Sequence, residues 1–129
     1  MDKNIELYQR RLGKNIVLDS GEIDGVSYII KTIQGHYPTA YISAHYTEDF
    51  EDIATRWGIG ITYSTEEYGP LPGLDEERAW VGWDYGHGGD YICADSEEYD
   101  IKGHRYSYAE IMEDVKDMIK LAKELELEN

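Results

Sequence analysis

The sequence predicts an α+β fold, with a small, mainly antiparallel sheet packed against a C-terminal amphipathic helix. Three observations carry this reading. A capped, periodic segment at about 108–125 reads as a helix. Short runs rich in β-branched and aromatic residues recur between 26 and 94, separated by Gly, Pro and Asp. No linker, repeat or low-complexity stretch divides the 129 residues, so a single domain over 1–129 is expected.

The elements follow in order. Asp2 to Leu12 is short and mixed, either a brief helix or an edge arm. Residues 19–25 carry turn chemistry in Asp19, Gly21, Asp24 and Gly25. Val26 to Ile33 and Thr39 to Ser43 read as two strands around the punctuation at Gly35–Pro38, and so as a hairpin. In Glu48 to Trp57, the residues Phe50, Ile53, Ala54 and Trp57 share one helical face. Ile59, Ile61 and Tyr63 alternate, as the buried side of a strand over 58–64 would. Two Pro and two Gly make 68–73 a loop. Ala79 to Asp84 and Tyr91 to Ala94 read as further strands. Ser107 and Glu110 form a capping-box signature. Ile111, Val115, Met118, Ala122 and Leu125 follow at helical spacing, a stripe expected to pack on the sheet.

Charge narrows the partners. The formal net charge is −15, from 27 acidic and 12 basic residues. Residues 1–43 balance, whereas 44–100 hold fifteen acids against only Arg56 and Arg78. Direct nucleic-acid binding needs a basic footprint, and anionic membranes likewise attract basic segments. Both are excluded as expectations, and a basic protein or a cation is the fitting partner. A solvated surface that keeps the protein soluble is the plainer account of the same charge. Sixteen aromatic residues (12 Tyr, 3 Trp, 1 Phe) argue against disorder. One cysteine, Cys93, forms no internal disulfide, which favours a reducing setting. With no signal-like start and no long apolar run, a cytoplasmic location is expected. Oligomeric state is left open by the sequence.

The densest chemistry lies in Trp80 to Tyr91. Trp80, Trp83, Asp84, Tyr85, His87 and Asp90 crowd into a glycine-rich stretch. Such a turn can gather Asp84, His87 and Asp90 around a divalent cation or a polar ligand, with His36, His45 or His104 completing the set. No other cofactor is expected. The spacing matches no standard zinc pattern. The same residues also suit a structural turn, with Asp84 capping it and the Trp side chains in the core. Catalysis finds little support. Cys93 lies in an apolar-looking strand, Ser64 and Ser96 sit in no nucleophile elbow, and no P-loop or dinucleotide fingerprint is present. A second candidate surface is the loop 63–78. There Tyr68 and the acids Glu66, Glu67, Asp75, Glu76 and Glu77 suit the binding of a basic protein.

Ile61-Thr-Tyr-Ser64, then Trp80-Val-Gly-Trp-Asp-Tyr-Gly-His-Gly-Gly-Asp-Tyr91 and a capped helix, resemble a group of small proteins of unknown function. The group is encoded by bacteriophages, prophages and gut-bacterial mobile elements. It has a Thr-Tyr-Ser strand end and a W-x-G-[WF]-D-x-x-H-x-G-D-Y segment. The match spans roughly 58–125. Gly58-Ile59-Gly60 stands where the group usually has His-Gly-Gly. The resemblance implies a phage or prophage setting and brings no activity with it. Three functions follow as expectations: an acidic accessory protein that binds a basic host protein, with nucleic-acid mimicry or defence inhibition as its role; a ligand or metal domain on Asp84, His87 and Asp90; or a structural, assembly protein.

Overall fold

A computed structural model describes residues 4–129. Five strands and three helices run in the order β1 (Ile16–Ile23), β2 (Val26–Ile33), β3 (Tyr37–Ile42), α1 (Glu48–Arg56), β4 (Ile61–Ser64), α2 (Thr65–Tyr68), β5 (Val81–Asp84), α3 (Tyr108–Glu124). The sheet has the spatial order β1-β2-β3-β5-β4, and every pairing is antiparallel. The α+β architecture with a C-terminal helix on the sheet is therefore as expected.

Strand alternation sorts side chains to two faces. Tyr28, Ile30, Ala40, Ile42, Val81 and Trp83 turn to the main core, where α1 and α3 cover them. From α3 come Ile111, Val115, Met118, Ile119 and Ala122, all buried. The helix starts as the sequence requires. Ser107 Oγ accepts from the Glu110 N–H, and the Glu110 carboxylate accepts from the Ser107 N–H. The opposite face carries a smaller cluster of Tyr41, Tyr63, Leu74 and Trp80 under the 69–79 loop.

Several expectations are corrected. Asp19 to Ile23 belong to β1, and the turn is only Asp24-Gly25, with φ of +50° and +82°. That pair suits a two-residue hairpin, and the polar side chains before it reflect an edge strand. Asp2 and Lys3 lie outside the described residues. From Asn4 the arm is neither helix nor strand, and it is held by bonds from Gln9 N to Gly35 O and from Gly13 N to Gln34 O. Gly35 is required there, because its φ is +83° and an added Cβ would lie 2.0 Å from Gln9 O.

Trp57 is half exposed and caps α1, so only Phe50 and Ala54 of the expected helical face are fully buried. A bulge between Ile61 and Tyr63 breaks the alternation of β4. Ile59 and Ile61 join the main core, while Tyr63 crosses to the other face. Thr65 to Tyr68 form a single helical turn begun by Ser64, whose hydroxyl accepts from Glu67 N. The strand expected at 91–94 is reduced to a bridge between Ile92 and Ile101. Beyond it the Ala94 N–H donates to the Asp100 carboxylate, so a side chain replaces the next ladder bond.

Asp100 is a hub. Arg10 grips it through both guanidinium nitrogens at 2.8 and 2.7 Å, and the Tyr91 hydroxyl donates to it at 2.8 Å. These bonds tie the N-terminal arm to the segment that follows the glycine-rich turn. Paired donors of this kind hold the Asp100 carboxyl far below the usual carboxylate range, with Arg10 the largest cause. Among the described residues no helix is long and apolar enough to cross a membrane.

Candidate functional site

The site begins where β5 ends. Trp83 points into the main core, so Asp84 must point to the other side, and the chain then turns. Asp84 Oδ1 accepts from the Gly86 N–H at 3.0 Å and lies 3.1 Å from His87 Nε2. Asp90 closes the turn: its Oδ2 accepts from His87 N and its own N–H donates to His87 O, each at 3.0 Å. Gly89 takes φ +93° between them. Two close approaches also fix glycines here. A Cβ on Gly82 would lie 2.5 Å from the Tyr41 ring, and one on Gly86 would lie 2.9 Å from the Tyr37 ring. The turn chemistry expected of Asp84 is thus present, Asp90 shares it, and it occupies much of the hydrogen-bonding capacity of both.

Behind the turn runs a second set of bonds. The Trp83 indole N–H donates to the Tyr85 hydroxyl at 2.8 Å, and that hydroxyl donates to Asp114 Oδ2 at 2.8 Å. The Tyr106 hydroxyl donates to Asp90 Oδ1 at 3.2 Å, and its ring lies 4.6 Å from that of Tyr85. Together these groups line a cavity of about 230 Å³. Its deep lining is Ile59, Trp83 and Tyr85. Its exposed lining is Gly58, Gly60, His87 and Gly88. Asp84, Asp90, Tyr106 and Asp114 lie between.

The electrostatics follow from burial. Burial raises the Asp114 carboxyl above its ordinary value; the Tyr85 bond opposes this, and the charges of Asp117, Glu110 and Glu113 add to the rise. Burial and Asp114 raise the Tyr85 phenol, while burial and Asp90 push Tyr106 up to about 12. Both phenols therefore remain donors at neutral pH. The cavity holds carboxylates and aromatic rings and no Lys or Arg, so its field favours a cation.

Of the residues singled out from sequence, Trp83, Asp84, Tyr85, His87 and Asp90 meet at this cavity. Trp80 does not: it packs on the opposite face and donates its indole N–H to Asp75 O. The other histidines are engaged elsewhere. His36 bonds to Cys93 O, His45 to Glu66 and His104 to Glu110. Among the described residues no three of His, Cys, Asp and Glu are placed to hold a metal ion. Asp90 shows why, since both its oxygens already accept bonds from the chain. Sequence reasoning missed Tyr106 and Asp114. Asp114 carried a usable signal, because it sits three residues after Ile111 and four before Met118, inside the buried stripe.

The acidic surface is separate. Glu66, Glu67, Tyr68, Asp75, Glu76 and Glu77 are all exposed on 65–78. Tyr68 is 70% exposed and stacks on Tyr63. Glu66 bonds to His45, Glu67 to Ser64, and Asp75 to Glu77 N and Arg78. Glu76 and Glu77 have no side-chain ion pair among the described residues. A larger groove of about 670 Å³ lies between the N-terminal arm and α3, but none of the glycine-rich motif lines it. No protein-family model matches the chain, no curated protein matches it, and no solved structure matches it.

Proposed function

We propose that this chain is a non-enzymatic, acidic accessory protein that binds a basic partner protein through the surface built by residues 44–100. One observation carries the reading. More than half of the acids of that stretch are displayed rather than neutralised. Glu48, Asp49, Asp52, Glu76, Glu77, Asp95, Glu97 and Glu98 are exposed, and their carboxylates form no ion pair among the described residues. Uncompensated like charge repels within a fold, and a basic partner relieves it while gaining fast, selective association. Exposed Tyr68 and Tyr99 add apolar contact area beside those acids. The phage or prophage setting suggested by the sequence resemblance belongs to the same proposal, as does imitation of a polyanion.

The test is capture from bacterial lysate by the tagged full chain at low and at high salt, with mass spectrometry of what elutes. A specific basic protein is expected, released by salt because screening weakens exposed-charge attraction. Reversing Glu66, Glu67, Glu76 and Glu77 to Lys should abolish the capture. Capture indifferent both to salt and to these reversals sinks the proposal.

A further inference from the structure

We infer that the cavity between the end of β5, the 87–90 turn and α3 seats a single arginine side chain of the basic partner. This rests on the reading above and gives it a specific contact.

Size comes first. At about 230 Å³ the cavity is smaller than the ~300–1,000 Å³ typical of small-molecule sites, so one side chain suits it better than a cofactor. Polar capacity is the second ground. Asp114 Oδ1 accepts no hydrogen bond within the described residues, and Asp114 lines the cavity with Asp90 and Asp84. An open carboxylate oxygen with two further acidic residues beside it matches a ligand that carries several N–H donors and a positive charge. Aromatic lining is the third ground. Tyr106 is the half-buried ring at the cavity, with the buried rings of Trp83 and Tyr85 behind it, and an aromatic wall attracts a weakly hydrated planar cation more than a strongly hydrated ammonium or a hard metal ion. The molecule makes a comparable contact itself, for the Arg105 guanidinium lies 5.0 Å from both the Tyr8 and Tyr91 rings. Finally, the mouth is bare. Gly60 and Gly88 have nothing within 4 Å of an added Cβ, so a side chain can enter over them.

The probe is N-acetyl-arginine amide, titrated into the full chain and followed by NMR. The Gly60 and Gly88 amides and the Trp83 indole N–H are the reporters. Saturable shifts at these three positions are expected, with little response to the uncharged isostere N-acetyl-citrulline amide and a weaker one to N-acetyl-lysine amide. Asp114→Asn should weaken the arginine response about tenfold, the effect of losing one charge-assisted hydrogen bond. Gly60→Leu should abolish it by filling the mouth, and the open space there lets the variant fold. Equal responses to arginine and citrulline, no saturable shift, or an undiminished response in Gly60→Leu would each overturn the inference. The two proposals fail separately. If Gly60→Leu still captures a basic protein that salt and the glutamate reversals release, the pocket reading falls and the surface reading stands.

Discussion

The Tyr85 hydroxyl is the most exacting point at which to test this structure, because two neighbours depend on one oxygen. Tyr85→Phe keeps the ring and its packing and removes only that oxygen. Trp83 is 2% exposed, and its indole N–H has no other acceptor among the described residues. Leaving a buried donor unpaired costs about 1–3 kcal/mol. The lost bond to Asp114 adds about 0.5–1 kcal/mol, the low end of the range, because water reaches that carboxylate through the cavity. The total is about 1.5–4 kcal/mol, with no cavity contribution. For a domain of this length, at about 4 °C per kcal/mol, the melting temperature should fall by roughly 6–16 °C. Urea unfolding followed by Trp fluorescence, alongside thermal circular dichroism, gives both quantities, and the urea m-value should be unchanged. Tyr106→Phe is the internal comparison. It removes one bond to a partly exposed carboxylate and should cost no more than about 1 kcal/mol. A Tyr85→Phe protein within about 0.5 kcal/mol of the parent would refute the hydrogen-bond relay and the dependence of Trp83 on it.

Further outcomes follow from other features. Burial raises the Asp114 carboxyl, so its ionisation opposes folding, and the stability present with the protonated acid is lost as pH rises through its folded value. Asp114→Asn keeps an acceptor for Tyr85 and should melt higher than the parent at pH 7 but not at pH 3; a lower melting point at pH 7 counts against this. Asp100 has the opposite sign. Its contribution is complete above the ordinary Asp value of about 4 and disappears as acid protonates it below that. The melting gap between parent and Asp100→Asn should therefore be wide at pH 7 and shrink steadily below about pH 4, and a constant gap down to pH 2 would contradict the Arg10 clamp. Gly35→Ala forces a positive φ on a side chain that meets Gln9 O, and should cost about 2–4 kcal/mol. Hydrogen exchange should show the Gln9 and Gly13 amides losing protection first.

Much of this fold was legible because local chemistry and burial agree. The α3 helix is the clearest case: its cap, its stripe and its place on the sheet all follow from Ser107, Glu110 and the 111–122 spacing. The hairpin of β2 and β3 was equally plain. What stayed hidden depends on pairing rather than pattern. Nothing in Ile61-Thr62-Tyr63 announces a bulge, yet that bulge sends Tyr63 to the second cluster. Ser20, Gly21 and Glu22 read as turn because an edge strand need not bury its side chains. At the site, the glycine-rich turn marked Asp84, His87 and Asp90 correctly as neighbours. The partners that complete the cavity, Tyr106 and Asp114, arrive from sixteen or more residues away, and no local spacing encodes that meeting. Trp80 and Trp83 lie three apart, which is an odd interval on a strand and so places them on opposite faces.

The position of β5 between β3 and β4 has a consequence for synthesis on the ribosome. Tyr37 to Ile42 leave the ribosome with one side satisfied by β2 and the other open, because β4 is made before β5 but cannot pair with β3 in the finished sheet. The open side closes only when residue 84 is available. At ~5–20 residues per second that interval is roughly 2–8 s. During it the apolar edge of β3 is exposed to any other nascent strand. The acids that crowd residues 48–77 emerge in this same window, so the growing chain carries a strong like charge when its unpaired edge is most open to association.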